Sequence, residues 1–155
     1  MITEATRLSD LASAIRESTL KRLRMVPPGR EDWRPTEGAL SFADIAHHLI
    51  QCDEWLFRKL AEPQTPGITA KARAAVVRER AQFESSLSQL TVLGDRRTIL
   101  ISGLSIAQLG ALLPDDRFGG EVAVWWVIVR GNLDHEAHHR GQLATYLRIV
   151  ASLPP

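Results

Sequence analysis

Apolar residues recur every three or four positions along residues 6–25, which is the spacing of an amphipathic helix with one buried face. The residues that share this face are Leu8, Leu11, Ala12, Ile15, Thr19 and Leu23. The next segment, VPPGREDWRPTEGAL, contains three prolines and is predicted to be a loop. The chain therefore begins with a helix that needs other elements to cover its apolar side.

Two more helices are predicted in the middle of the chain. The second begins after Ser41, whose hydroxyl can cap a helix, and Asp44 three residues later completes a pair that resembles a capping box. It runs to about Ala61 and ends before the next proline. The third spans residues 69–93, and Gly94 is a plausible C-terminal cap. Its apolar face comprises Ala72, Val76, Phe83, Leu87 and Leu90.

The pattern is weaker over residues 95–120, where a short helix is predicted from Ser105 to Leu112 and the DDRFGG stretch is predicted to be a loop. The last helix is predicted over residues 121–152. Its first part, VAVWWVIV, is rich in β-branched and aromatic residues and by itself resembles a strand. We interpret it as helix because no helix-breaking residue follows before Val150. Four helices of about 20–30 residues predict an all-α four-helix bundle.

Composition narrows the possible functions. The 155 residues have the length of one ordinary domain, so residues 1–155 are expected to form a single unit. Nineteen Lys and Arg residues against eighteen Asp and Glu residues give a net charge of +1, so neither nucleic acid nor an anionic membrane is an expected partner. The longest apolar run, residues 122–129, is too short to span a membrane. With no signal peptide and one cysteine, a cytoplasmic location is expected.

The five histidines fall in two short clusters, His47–His48 and His135–His138–His139. A helix turns by about 100° per residue, so His139 lies about 40° from His135 and Ile128 about 20° from it, within one apolar stripe. His138 lies toward the edge of that stripe. Two imidazoles one helical turn apart on a buried face can bind one metal ion.

The same calculation separates the two histidines of the second helix. Cys52 lies about 40° from His48 and Leu56 about 80° from it, whereas His47 lies about 100° away on the other side. His48 is therefore predicted to point into the bundle, and His47 toward its rim or the solvent. Together with the histidine pair of the last helix, His48 would complete a three-histidine metal site, a ligand set with which zinc keeps one position open.

Other interpretations remain open at the level of sequence. The histidines can be ordinary core residues that hydrogen-bond a carboxylate such as Asp53 or Glu84. Cys52 is more typical of a small core residue than of a fourth metal ligand. Trp125 and Trp126 are more typical of core or interface packing than of a substrate platform. These alternatives differ in whether the site binds a ligand at all.

HEAHH at residues 135–139 also matches H-E-x-x-H, the zinc metalloprotease motif in which the glutamate, here Glu136, is the general base. The residues that follow, RGQLATYLRIVASLPP, contain no histidine or acid that could serve as a third ligand. A metallohydrolase is therefore the weaker alternative.

Two segments together resemble the DinB-like (DinB/YfiT) superfamily: SFADIAHHLIQCDEW and, some ninety residues later, HEAHHRGQLATYLR. Trp33-Arg34-Pro35 before the second helix fits the same pattern. The resemblance implies an up-down-down-up four-helix bundle, often dimeric, with zinc or nickel held by three histidines. The family ligands fall on His48, His135 and His139, while His47 and His138 match no ligand position.

Family members of known activity include S-transferases and isomerases that use a low-molecular-weight thiol, so the resemblance implies such a thiol and a small electrophile as partners. The expected role of the metal is to lower the pKa of the thiol and present a thiolate. Candidate pocket residues are Cys52, Trp55, Gln142 and Tyr146. The competing hypothesis is a non-catalytic metal-binding bundle with a structural, sensory or protein-interaction role, which a fourth protein ligand such as Cys52 would favour.

Overall fold

The computed structural model describes residues 3–68 and 73–154 and is mostly helical. Its elements, in chain order, are α1 Glu4–Arg24, α2 Phe42–Ala61, α3 Arg80–Ser102, α4 Ile106–Gly110, β1 Leu112–Asp115, β2 Gly120–Ala123, α5 Val124–Ile128 and α6 Asp134–Ala151. The capping box predicted at the start of α2 is present, since Ser41 and Asp44 each accept the other's backbone N–H. Among the described residues, no helix combines the length and hydropathy that a membrane crossing requires.

The directions of the four long helices follow from which residues meet. The start of α1 lies beside the end of α3, since Ser9 donates to the carbonyl of Thr98 at 3.1 Å, so these two helices are antiparallel. The start of α2 packs against the end of α6 through the Phe42 and Tyr146 rings, whose centroids are 5.7 Å apart. α1 and α6 run the same way, because Arg16 meets Glu136 and the loop after α1 reaches Pro154. The up-down-down-up bundle is therefore confirmed.

The bundle has two apolar core regions with a polar layer between them. One contains residues from the later part of α1, the first parts of α2 and α3, and the end of α6. The other contains the first part of α1, the ends of α2 and α3, and the short elements that precede α6. Each long helix contributes one buried charged residue at the intermediate level, and these are Arg16, Asp53, Arg97 and Glu136. The histidines of α2 and α6 lie in the same part of the bundle.

The predicted bounds of the third helix are wrong, because α3 spans Arg80–Ser102 and not residues 69–93. Residues 69–72 lie outside the described part of the chain, and residues 73–79 are not helical. Their backbone is held by side chains at other positions, since Asp44 accepts the N–H of Ala74 at 2.8 Å and Asp32 accepts that of Val77 at 2.9 Å. In a helix, these two N–H groups would instead donate to backbone carbonyls.

Gly94 is not a helix cap but an interior residue of α3. A Cβ atom at this position would lie 2.8 Å from Cγ of Arg16, closer than side-chain atoms pack. The glycine is there because the buried Arg16 side chain crosses the surface of α3 at this point. The helix continues for two more turns and ends at Ser102.

The region before α6 differs from the prediction in two ways. Residues predicted as a loop and a helix start form an antiparallel hairpin, in which Leu112 pairs with Ala123 and Asp115 with Gly120. The short helix predicted from Ser105 is present as α4.

From Val124 the chain is helical to Ala151, but the turn Val129–Leu133 is π-helical. A π turn inserts an extra residue, so α5 is rotated relative to α6. Val127 and Ile128 are buried, as the stripe predicts for Ile128, whereas Trp125 is 44% exposed.

Candidate metal centre

Two facing helices each contribute a pair of donor side chains one turn apart. α2 carries His48 and Cys52, and α6 carries His135 and His139. Nε2 of His135 lies 2.8 Å from Nε2 of His48 and 3.1 Å from Nε2 of His139. Sγ of Cys52 lies 3.6 Å from Nε2 of His48. The donor atoms of His48, Cys52 and His135 all lie within 4.8 Å of one another, which makes them a group that could hold a metal ion.

Nε2 of His135 thus lies close to Nε2 of both other histidines, at separations that suit a cation. Among the described residues, His139 is not part of the group of donor atoms that all lie within 4.8 Å of one another. In a tetrahedral zinc site with Zn–N bonds of about 2.0–2.1 Å, ligand nitrogens lie about 3.3 Å apart. The observed Nε2 separations of 2.8 and 3.1 Å are close to this. Each ring nitrogen carries either one hydrogen or one lone pair, so Nε2 of His135 cannot form ideal hydrogen bonds to both neighbours at once. One cation can accept all three lone pairs.

Gln142 orients one of these imidazoles. Its Oε1 lies 2.7 Å from Nδ1 of His139, one turn further along α6. The Nδ1–H group donates to this oxygen, which leaves the lone pair on Nε2, the atom that faces the other histidines. His139 is fully buried and His48 nearly so, whereas His135 is partly exposed and gives the site an opening to solvent.

The other two histidines, His47 and His138, lie beside this cluster. His47 is half-buried on α2. His138 is exposed, and its ring contacts that of His139 at a centroid distance of 5.2 Å. The donor group of His48, Cys52 and His135 contains neither of them.

The four candidate pocket residues have different surroundings. Cys52 and Gln142 contact the histidines. Tyr146 lies one turn beyond Gln142, and both residues line a cavity of about 300 Å³ that Arg73 also borders. Burial raises the pKa of the Tyr146 hydroxyl, so it is protonated at neutral pH. This polar cavity therefore extends to Gln142, the residue that orients His139.

Trp55 is placed differently. Its indole N–H donates to the carbonyl of Pro66 at 2.9 Å, and the Arg117 guanidinium covers its ring at 4.1 Å. Arg117 is itself paired with Asp115 at the end of β1. Trp55 thus packs the hairpin against the bundle.

An ion cluster on the long helices was missed by the sequence analysis. Arg16 of α1 and Arg97 of α3 bind Asp53 of α2 and Glu136 of α6, with N–O distances of 2.7–3.0 Å. Asn132, in the π turn, accepts from Arg97 and donates to Asp53 and to the carbonyl of Cys52. The two cations and two anions balance, which reduces the cost of burying them.

The sequence contains a signal for this cluster. Arg16 lies four residues after Ala12, within the apolar stripe of α1, and Asp53 lies between Leu49 and Leu56 on that of α2. A charged residue at a stripe position is unusual, because buried charges need partners. Four such positions in four helices of one chain would indicate a buried cluster.

The ion cluster determines the role of Glu136. Burial alone would raise the pKa of its carboxyl, but hydrogen bonds from Arg16 and the charge of Arg97 lower it to about 2. Burial likewise opposes the charge of Arg16, and Glu136 and Asp53 nevertheless raise its pKa. Glu136 is 1% exposed, so its carboxylate is screened from solvent. Its carboxylate is held between two arginines, which does not support the general-base role that the H-E-x-x-H motif would give it.

The four long helices form an up-down-down-up bundle, and histidines of the second and the last long helix face each other. The chain belongs to the DinB superfamily, whose family model matches residues 12–143. The crystal structure of the DinB-like protein YjoA from Bacillus subtilis is similar, with a TM-score of 0.69 and 16% sequence identity over 96% of each chain. At this identity the likeness shows the fold. No curated protein matches the sequence.

Proposed function

We propose that His48, His135 and His139 hold a divalent metal ion, zinc or nickel, and that the protein is a metal-dependent S-transferase for a low-molecular-weight thiol. The observation that carries this proposal is the convergence of three Nε2 atoms from two helices, with separations of 2.8 and 3.1 Å. When bound, the metal would supply Lewis acidity that stabilises a thiolate, the nucleophilic form of a thiol.

The residues around the cluster support binding of a small polar substrate. Gln142 fixes the tautomer of His139 and borders the cavity of about 300 Å³. Arg73, which is paired with Asp44 at 3.3 Å, and Tyr146 lie on the walls of that cavity and supply a guanidinium group and a hydroxyl group. Such groups would orient a thiol that carries charged or polar substituents, while partly exposed His135 leaves a path for an electrophile.

The metal is tested by elemental analysis of the purified protein and of single variants. We expect about one equivalent of zinc or nickel per chain. His48→Ala and His139→Ala should lose it, whereas His47→Ala and His138→Ala, which change neighbouring histidines, should retain it. A wild-type protein that cannot be loaded with either metal would refute the proposal.

The reaction is tested separately with metal-loaded protein. Loss of monochlorobimane is followed in the presence of mycothiol, bacillithiol or glutathione. We expect a rate with one of these thiols that depends on the metal and is absent in His48→Ala. If metal-loaded protein shows no rate above background with any thiol, the proposed transferase activity is refuted, whereas the proposed metal site is not.

One observation favours a second function. Sγ of Cys52 lies 3.6 Å from Nε2 of His48, so a fourth protein ligand is available. A metal with four protein ligands is typical of a structural or sensory centre. That alternative predicts one metal equivalent, no thiol-dependent rate, and a large loss of stability when the metal is removed.

A further inference from the structure

Cys52 has the position of a metal ligand. It follows His48 by one turn of α2, and its Sγ lies 3.6 Å from Nε2 of His48 and within 4.8 Å of a ring nitrogen of His135. With bonds of about 2.3 Å to sulfur and about 2.05 Å to nitrogen, the two donors of a tetrahedral zinc site lie about 3.5 Å apart. The sulfur and the His48 nitrogen are thus already at ligand spacing.

The backbone at Cys52 is fixed by the ion cluster. The carbonyl of Cys52 accepts a hydrogen bond from Asn132 at 3.2 Å. The next residue, Asp53, is bound by Arg16 and Arg97. This turn of α2 is therefore anchored to the three other long helices or their extensions. Cys52 is 5% exposed, and its sulfur lies beside the histidines and moves only by rotation about one side-chain bond.

We propose that Cys52 is a fourth, displaceable ligand of the centre and competes with the substrate thiol for the same position. This inference rests on the proposed metal site and concerns its regulation. The Cys52 thiol gives up its proton to solvent as its sulfur binds the metal. When an external thiol takes the position, the proton that this thiol releases restores the Cys52 thiol, so the exchange is balanced and needs no oxidant or reductant.

Competition has a measurable consequence. If Cys52 holds the position for about nine-tenths of the time, the apparent dissociation constant of an external thiol is raised about tenfold. Replacing Cys52 should remove this penalty. The metal itself should remain bound in the variant, since the three histidines are retained.

The test uses cobalt(II) in place of the native metal, because a thiolate ligand gives a sulfur-to-cobalt charge-transfer band in the near ultraviolet. We expect this band in the wild-type protein before any thiol is added. Cys52→Ala, and Cys52→Ser as a second variant in case the first does not fold, should bind cobalt without the band. His138→Ala should resemble wild type.

Calorimetric titration with 2-mercaptoethanol then gives the thiol affinity of each cobalt-loaded protein under nitrogen. We expect binding about tenfold tighter in the Cys52 variants than in wild type. Cobalt bound without the band in wild type, or equal thiol affinities, would overturn the inference while leaving the metal site intact. Failure of wild type to bind cobalt would instead count against the proposed metal site.

Discussion

Replacement of Glu136 by Gln tests the buried ion cluster. Glu136 accepts hydrogen bonds from Arg16 at 2.8 and 2.9 Å and from Arg97 at 2.7 Å. Glutamine has nearly the same shape but no charge, so it leaves two arginines facing the single carboxylate of Asp53. We therefore expect Glu136→Gln to destabilise the protein strongly.

The magnitude follows from the pKa of the group. Folding lowers the pKa of Glu136 from 4.5 to about 2, and each pKa unit corresponds to about 1.4 kcal/mol, so the ionised carboxylate contributes about 3 kcal/mol. Breaking one partner of a buried ion pair typically costs about 3–5 kcal/mol, which agrees. Such a loss is a large part of the about 5–15 kcal/mol that stabilises a domain.

The assay is urea unfolding of metal-free protein, followed by circular dichroism at pH 7. Glu54→Gln, an exposed position on α2, is the control and should change the free energy of unfolding by less than about 0.5 kcal/mol. Because folding lowers the pKa of Glu136, its contribution is complete above pH 4.5 and is lost as the pH falls toward 2. The difference in the free energy of unfolding between wild type and Glu136→Gln should therefore decrease over that pH range.

Two results would refute this reasoning. One is a destabilisation by Glu136→Gln no larger than that of Glu54→Gln. The other is a difference in the free energy of unfolding that stays constant between pH 6 and pH 2.5. That result would mean that the packing of the side chain, and not its charge, causes the destabilisation.

Other substitutions test the packing and the site. Gly94→Ala should destabilise the protein by about 1–3 kcal/mol in urea unfolding, because the added methyl lies 2.8 Å from Arg16. Its control, Gly141→Ala, has nothing within 4 Å of the new methyl and should stabilise α6 by up to about 1 kcal/mol. Gln142→Ala should weaken zinc binding about 10–100-fold in a chelator competition, since His139 loses the partner that orients it. Unchanged zinc affinity would show that Gln142 has no such role.

The fold and the histidine cluster could be predicted because both depend on local periodicity. Helical phase within α2 and within α6 is continuous, so His48 could be separated from His47, and His139 from His138. Upstream of residue 129 the π turn changes the phase, so the calculation does not carry over to α5: Ile128 is buried as the stripe predicts, but Trp125 in the same short helix is exposed. A calculation that assumes about 100° per residue cannot predict where a helix contains an inserted residue.

The features that were not predicted depend on distant residues. Asp44 lies 30 positions before the Ala74 backbone that it binds, and this bond competes with helix formation there. Arg16 and Glu136 are 120 positions apart. A charge within an apolar stripe indicates burial, but the residue that pairs with it is identified by the tertiary structure.

The placement of one charged residue on each long helix bears on how the bundle assembles. If only α6 detaches from the bundle, Arg16, Arg97 and Asp53 remain together with one uncompensated positive charge. If α1 or α3 detaches, the remaining residues of the cluster carry one uncompensated negative charge. Every three-helix intermediate is thus penalised by a desolvated unpaired charge. The four helices should consequently dock in a single cooperative transition, although apolar residues alone would tolerate partial assemblies.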